Sequence, residues 1–323
     1  VKTWIDFDAA PVFAIPLTDA LGGVTVCEGM LIEGPQGWGE FSPPPGCDGR
    51  QAGRWLTAAI EVGTVGWPDP TRGRVPVAVT IPSVAPDRAA QLVTDAGCGA
   101  AAVRVGETSL AADLARLEAV RDALGPDGAI RCDVNGNWDV DTAVAAIPAM
   151  DRAAGGCEFI EQPCRTLEEL AAVRRRVDVP IAVDQSLRDA AEPLRLPVAE
   201  AADIAVLTVG ALGGVRRALR VAENCGLPCT VAAEPESSIG LSGGLALAGV
   251  LPDVGYPAVL AGIRLLSGDM VSTGRSLVPR DGFLPVAPMP PAPDAGALER
   301  FTVTDPAVVA RWRQRLTAAQ AYL

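Results

Sequence analysis

Asp133, Glu161 and Asp184 each close a short aliphatic run, at intervals of 28 and 23 residues. Taken singly, each acid could cap the helix after it or bond a loop amide. Brought to one place, three carboxylates repel unless they share a cation. A hard divalent ion with oxygen ligands, such as Mg2+, resolves that conflict. The other reactive residue types are scarce. The chain holds no histidine, and its one lysine is Lys2. A Ser-His-Asp triad, a histidine base and a histidine metal ligand are excluded, and a lysine base would have to be Lys2. Chemistry falls to Asp, Glu, Cys, Tyr, Arg, hydroxyls, backbone groups or a metal held by oxygen.

The elements that must position these acids show as a repeat. Aliphatic runs at 75–81, 100–106, 129–133, 157–161, 180–184, 203–209, 228–232 and, weakly, 258–262 alternate with amphipathic stretches at 110–124, 141–154, 167–177 and 215–224. Helix starts are expected at Thr108 or Ser109, at Asp141, and at Thr166 with Glu169 three residues on as a capping box. Helices crossing between consecutive strands make the strands parallel. Eight such runs are the count for a (β/α)8 barrel, whose strand C-termini converge on one face. An open doubly wound sheet competes, but no GxGxxG follows the early strands. Residues 24–33 and 38–41 read as a hairpin with its turn at 34–37, followed by a helix at 51–62. A Pro-rich stretch at 285–293 leads to a final helix at 307–322. The expected organisation is α/β: an α+β domain of residues 1–75, completed by 285–323, beside a barrel of residues 76–284.

Composition narrows the partners. Of 323 residues, 49% are hydrophobic, enough for a large core, and small aliphatic residues suit a buried parallel sheet. The 27 basic and 39 acidic residues leave a net charge of −12, which disfavours nucleic acid. No apolar run approaches the roughly 18 residues of a membrane span, and no signal peptide is visible. The eight cysteines are scattered with no CxxC pair, as expected of buried thiols in a reducing cytoplasm rather than a zinc site. A small-molecule ligand is the expected partner, and a homo-oligomer is compatible with the sequence.

The segments RCDVNGNW (131–138), EFIEQPC (158–164) and IAVDQS (181–186) resemble the enolase superfamily, muconate-lactonizing subgroup, and within it actinobacterial o-succinylbenzoate synthases. IEGPQGWGEFSP (32–43), ELAAVRRRVDVPIA (169–182), ADIAVL with LGGV (202–215) and DGFLPV (281–286) extend the likeness over nearly the whole chain. The resemblance implies a capping domain on a (β/α)7β barrel, the modified form of the eightfold one. It also implies Mg2+ held by Asp133, Glu161 and Asp184, and ligand contacts near Asn135, Gln185, Ala232 and Gly262.

That family abstracts a proton beside a carboxylate, using lysines on the second and sixth barrel strands with Mg2+ on the enediolate. Here the Lys-x-Lys positions hold Ala102 and Arg104, and the sixth-strand position holds Thr208. Arginine stays protonated at neutral pH and cannot serve as the base, although it can pair with an anion or with a neighbouring acid such as Glu161 or Asp133. Thr208 can only hydrogen-bond. Gln185 replaces an acid, Ala232 and Ala233 align with a Ser-Ser pair, and Ala20-Leu21-Gly22-Gly23 replaces a basic loop. Glu234 and Glu236, after the seventh strand, are candidate acid/base groups, or else solvated acids capping the helix near Ser238. Cys47 and Asp48, in a proline-stiffened loop at 42–50, are further candidates. The expected function is a repurposed lyase or cyclase acting on a carboxylate- or carbonyl-bearing small molecule. The alternatives are a non-catalytic ligand- or partner-binding paralogue and ordinary o-succinylbenzoate synthesis.

Overall fold

The computed structural model describes residues 5–253, 255–286 and 292–323. Lys2 and the middle of the Pro-rich stretch lie outside them. The chain opens with a three-stranded antiparallel meander, β1 (Val12–Leu21), β2 (Val24–Gly34) and β3 (Gly37–Phe41). The hairpin expected at 24–41 is β2–β3, with Met30 opposite Phe41. β1 is an addition, since its proline and polar positions blur the alternation that marks β2. Helix α1 (Gly49–Thr64) follows, and Asp48 with Gln51 forms its capping box. Asp48 is therefore a helix cap rather than a site residue. The helix lies so close on the sheet that a Cβ on Gly39 would stand 2.1 Å from the Ala59 carbonyl.

From residue 74 the chain alternates. β4 (Arg74–Pro76) pairs antiparallel with a strand near the C-terminus, and the same extended run continues into β5 (Val79–Ile81). The run expected at 75–81 thus serves two sheets. Then come α2 (Pro86–Ala96), β6 (Ala100–Arg104), α3 (Leu110–Leu124), β7 (Ala129–Asp133), α4 (Val140–Ala153), β8 (Ile160–Glu161) and α5 (Leu167–Arg174). β9 (Ile181–Val183), α6 (Gln185–Asp189), β10 (Ile204–Leu207), α7 (Val209–Leu212), α8 (Val215–Cys225), β11 (Cys229–Val231) and α9 (Ser238–Val250) complete the series. Seven strands, β5 to β11, pair in parallel in chain order. The weak eighth run shrinks to two residues, Ala258 and Val259. They bridge Val77 on one side and Ala232 on the other, closing the sheet on itself. Ser109 and Thr166 cap α3 and α5 as expected, whereas α4 is capped by Asp139, with Asp141 in its first turn.

The tail contributes β12 (Phe283–Pro285), which pairs with β4, then α10 (Ala295–Phe301) and α11 (Pro306–Gln320). Trp312 and Leu316 of α11 share one apolar core with Met30, Phe41, Trp55 and Leu56, so the two ends of the chain fold together. Inside the barrel, Phe159, Ala182, Ile204 and Val206 pack as a separate small cluster. Arg131 is fully buried beside them, donating to the Pro257 carbonyl and Glu158 with its guanidinium over the Phe159 ring. Two residues on, the same face of β7 presents Asp133 at the strand's C-terminal end. Cys132 points the other way, its sulfur 3.8 Å from that of Cys157. All eight cysteines are free thiols. Among the described residues no helix is long and apolar enough to cross a membrane.

Candidate active site

The strand ends converge as the barrel requires. β6, β7 and β8 are in register so that Arg104 lies opposite Asp133 and Asp133 opposite Glu161, and Asp184 follows β9 directly. Arg104, Asp133, Glu161, Asp184, Thr208, Ala232 and Glu234 line one cavity of about 50 Å3, joined by Leu21 from the end of β1. Glu236 is placed differently. It lies with Thr208 and Ala232 in an adjoining space of about 30 Å3 between α1, β3 and the barrel. Asn135 and Gln185 do not line the cavity and bond to each other, the Gln185 amide donating to Asn135 Oδ1. Gly262 lies beside the Glu234 backbone. Neither glutamate caps α9, because Ser237 does so through its hydroxyl.

Two guanidinium groups dominate the electrostatics. Arg104 Nη1 stands 2.9 Å from Asp133 Oδ2, and its Nε stands 3.7 Å from Glu107. The contact with Asp133 is an ion pair rather than an aligned hydrogen bond, since Nη1 has no well-directed acceptor. Burial opposes the charge of Arg104, but Asp133, Glu234 and Glu161 outweigh it and hold its pKa above the ordinary value. The second guanidinium was not foreseen. Arg188, one helical turn after Asp184 on α6, donates to Asp184 Oδ2 at 3.2 Å and to Glu234. An i, i+4 pair was the available signal, but such pairs are common on any helix. Gln162, also unforeseen, ties β8 to β9. It accepts the Asp184 amide at 2.9 Å and donates to the Cys164 carbonyl and the Ser186 hydroxyl.

The acids respond to burial. Glu161 is pushed well above the usual carboxylate range, first by burial and then by the Asp133 and Asp184 charges, with Arg104 and Arg131 opposing. Burial raises Asp184 to about 6 against the pull of Arg188. Buried Glu40, from the GWGEFSP segment, rises to about 7 through desolvation, although it accepts hydrogen bonds from Ser42, Ser237 and the Gly240 amide. Glu236 is raised well above its ordinary value by burial and by Glu40. With a folded pKa above the unfolded 4.5, Glu40 takes up a proton on folding, so its contribution worsens as pH rises from about 4.5 to about 7. At 1.36 kcal/mol per unit the cost above that window is about 3 kcal/mol. A glutamine at this position can keep all three partners, its carbonyl facing Ser237 and Gly240 and its amide donating to the Ser42 hydroxyl. Glu40→Gln is expected to raise urea stability at pH 8 by about 2–3 kcal/mol and to leave it unchanged near pH 4.5. A pH-independent difference would contradict this.

The Mg2+ that the resemblance implies requires three oxygen ligands on one ion. The donor chemistry suits it: all three are carboxylates, and Asp184 Oδ1 is buried without a hydrogen-bond partner. The placement does not suit it. Asp133 is engaged by the Asn135 amide and by Arg104, and Asp184 by Arg188. Among the described residues no group of three His, Cys, Asp or Glu side chains is arranged to hold a metal ion.

A second cavity of about 250 Å3 lies against the first, with Arg188 common to both. Its walls are Pro44 to Cys47, Gln51, Trp55, Asp189 and Ala211. Cys47 thus faces a cavity, but not the acids.

Known proteins place this architecture. Residues 12–63 match the enolase N-terminal domain-like family, and residues 85–293 match the enolase C-terminal domain-like family. The chain is 50% identical over 311 residues to the o-succinylbenzoate synthase of Thermobifida fusca (strain YX), covering 96% of this chain and 95% of that protein. It is 44% identical over 285 residues to the o-succinylbenzoate synthase of Mycolicibacterium smegmatis, covering 87% of each. The structure of muconate lactonizing enzyme from Pseudomonas fluorescens complexed with muconolactone matches with a TM-score of 0.77 at 20% identity, over 93% of this chain and 98% of that one. The L-Ala-D/L-Glu epimerase from Bacillus subtilis matches with a TM-score of 0.74 at 22% identity, over 89% and 96%. At such identities these structures speak for the fold alone. The chain is an o-succinylbenzoate-synthase-like member of the enolase superfamily.

Proposed function

We propose that this chain is a divergent lyase or cyclase that acts on a carboxylate- or carbonyl-bearing small molecule without a lysine base. One observation carries the reading: the two strand ends that hold lysines in the family pattern hold Arg104 and Thr208, inside a cavity that still carries four carboxyl side chains. A guanidinium cannot take the proton, but it can orient a carboxylate and stabilise negative charge as it develops. Arg104 is the anion partner in this reading. Arg188 paired with Glu234 forms the polar wall shared with the larger cavity, and Glu236, whose pKa burial and Glu40 raise well above its ordinary value, is the proton-donor candidate. Steps that need orientation more than base strength, such as cyclisation or loss of water from an activated substrate, fit this set of groups. The lysine-free strand ends also suit a ligand-binding paralogue without turnover. That reading gains from the fact that both arginines already have acidic partners.

A panel of mono- and dicarboxylates and their carbonyl analogues, screened by thermal shift and then by NMR for conversion, tests the proposal. At least one compound is expected to raise Tm and to be converted, and Arg104→Met is expected to weaken its binding about tenfold or more. Binding without conversion would favour the paralogue. A panel with no binder, or a binder indifferent to Arg104→Met, would overturn both.

A further inference from the structure

We propose that Arg104 and Arg188 are internal counterions, giving the acid cluster the positive charge that a divalent cation would bring and holding down its affinity for such a cation. Four carboxyl side chains, Asp133, Glu161, Asp184 and Glu234, line the cavity with both guanidinium groups. Arg104 is seated on Asp133 at 2.9 Å, and Arg188 bridges Asp184 and Glu234. A dication shared by Asp133, Glu161 and Asp184 would have to displace Arg104 from Asp133 or accept a guanidinium within a few ångströms. Repulsion between such neighbours is strong where little water screens it. Both side chains are enclosed, with 15% and 20% of their surface exposed, so neither can swing freely into solvent. Arg188 is also held at its base, since its own carbonyl accepts from Arg54 at 3.1 Å. Asp184 Oδ1 is the second observation: a buried acceptor lining the same cavity without a partner. That oxygen is open to a cation, while the arginines engage Asp133 and the other oxygen of Asp184.

Calorimetric titration of Mg2+ into the full chain at constant ionic strength tests the inference. The wild type is expected to show no saturable binding through the low-millimolar range. Arg104→Met is expected to bind at least about tenfold more tightly, and Arg104→Met/Asp184→Asn to lose that gain. Arg188→Gln, which keeps hydrogen-bond donors but not the charge, is expected to gain affinity too and serves if Arg104→Met does not fold. Submillimolar binding by the wild type that neither substitution improves would overturn the inference. So would folded variants that bind as weakly as the wild type.

Discussion

Replacing Arg188 with methionine is expected to cost about 3 kcal/mol of stability, the largest loss expected from one side chain lining the cavity. Asp184 is 4% exposed and Glu234 25% exposed, and one guanidinium serves both. Removing it leaves two enclosed carboxyl groups facing each other without a cation, and the penalty is that of the uncompensated acids rather than of the lost contact. The figure sits at the low end for a fully buried pair because Glu234 retains some water. Arg188→Lys keeps the charge but not the fork that reaches two carboxylates, so an intermediate loss is expected. Urea unfolding of the three proteins at neutral pH measures this. A methionine variant within about 0.5 kcal/mol of the wild type would mean that the bridge is a solvated surface pair.

The second large effect concerns catalysis. A positioned general base is worth about 10²–10⁴ in rate, and an arginine cannot fill that role near neutrality. The resemblance implies a lysine at the end of each of two barrel strands; this chain carries Arg104 and Thr208 at the strand ends proposed to correspond, a permanently protonated fork and a hydroxyl. The remaining candidates are poorly placed to substitute. Glu234 is committed to Arg188, Glu236 lies in the adjoining space with Glu40 rather than in the cavity, and burial with the Asp133 and Asp184 charges pushes the Glu161 carboxyl well above the usual carboxylate range, away from the charged form a base needs. The rate of o-succinylbenzoate formation is therefore expected to fall by at least about three orders of magnitude relative to a lysine-bearing relative. The 50% identity to the Thermobifida fusca protein leaves this expectation standing, because the expectation rests on two positions, Arg104 and Thr208.

The scaffold was legible because barrels repeat. The alternation of aliphatic runs and helices located β6, β7, β9, β10 and α3 within a residue or two, and the capping box at Thr166 and Glu169 is present as read. Three acids on consecutive strand ends could be assigned to one cavity from spacing alone, since a parallel barrel brings all its C-termini to one face. The partners of those acids were not legible. Arg188 reaches Glu234 across 46 residues, and Glu236 meets Glu40 across the join between β3 and α9. Neither contact leaves a periodic trace. Asp48 misled for the opposite reason. A short acidic side chain beside glycine and proline reads equally as a loop ligand or a helix cap, and the Gln51 that decides between them lies inside the helix. The eighth strand was faint because only Ala258 and Val259 pair, just after Pro257, which cannot donate to a ladder.

The proposed divergence keeps the family's scaffold and dispenses with its proton-abstracting lysines. The initial rate of o-succinylbenzoate formation, measured for this chain beside the Thermobifida fusca relative in the same Mg2+-containing buffer, tests it most directly. The expected rate is lower by at least about 10³, or indistinguishable from the uncatalysed reaction. A rate within about tenfold of the relative's would contradict it and would require a base other than lysine in the cavity lined by Arg104, Thr208 and the four acids.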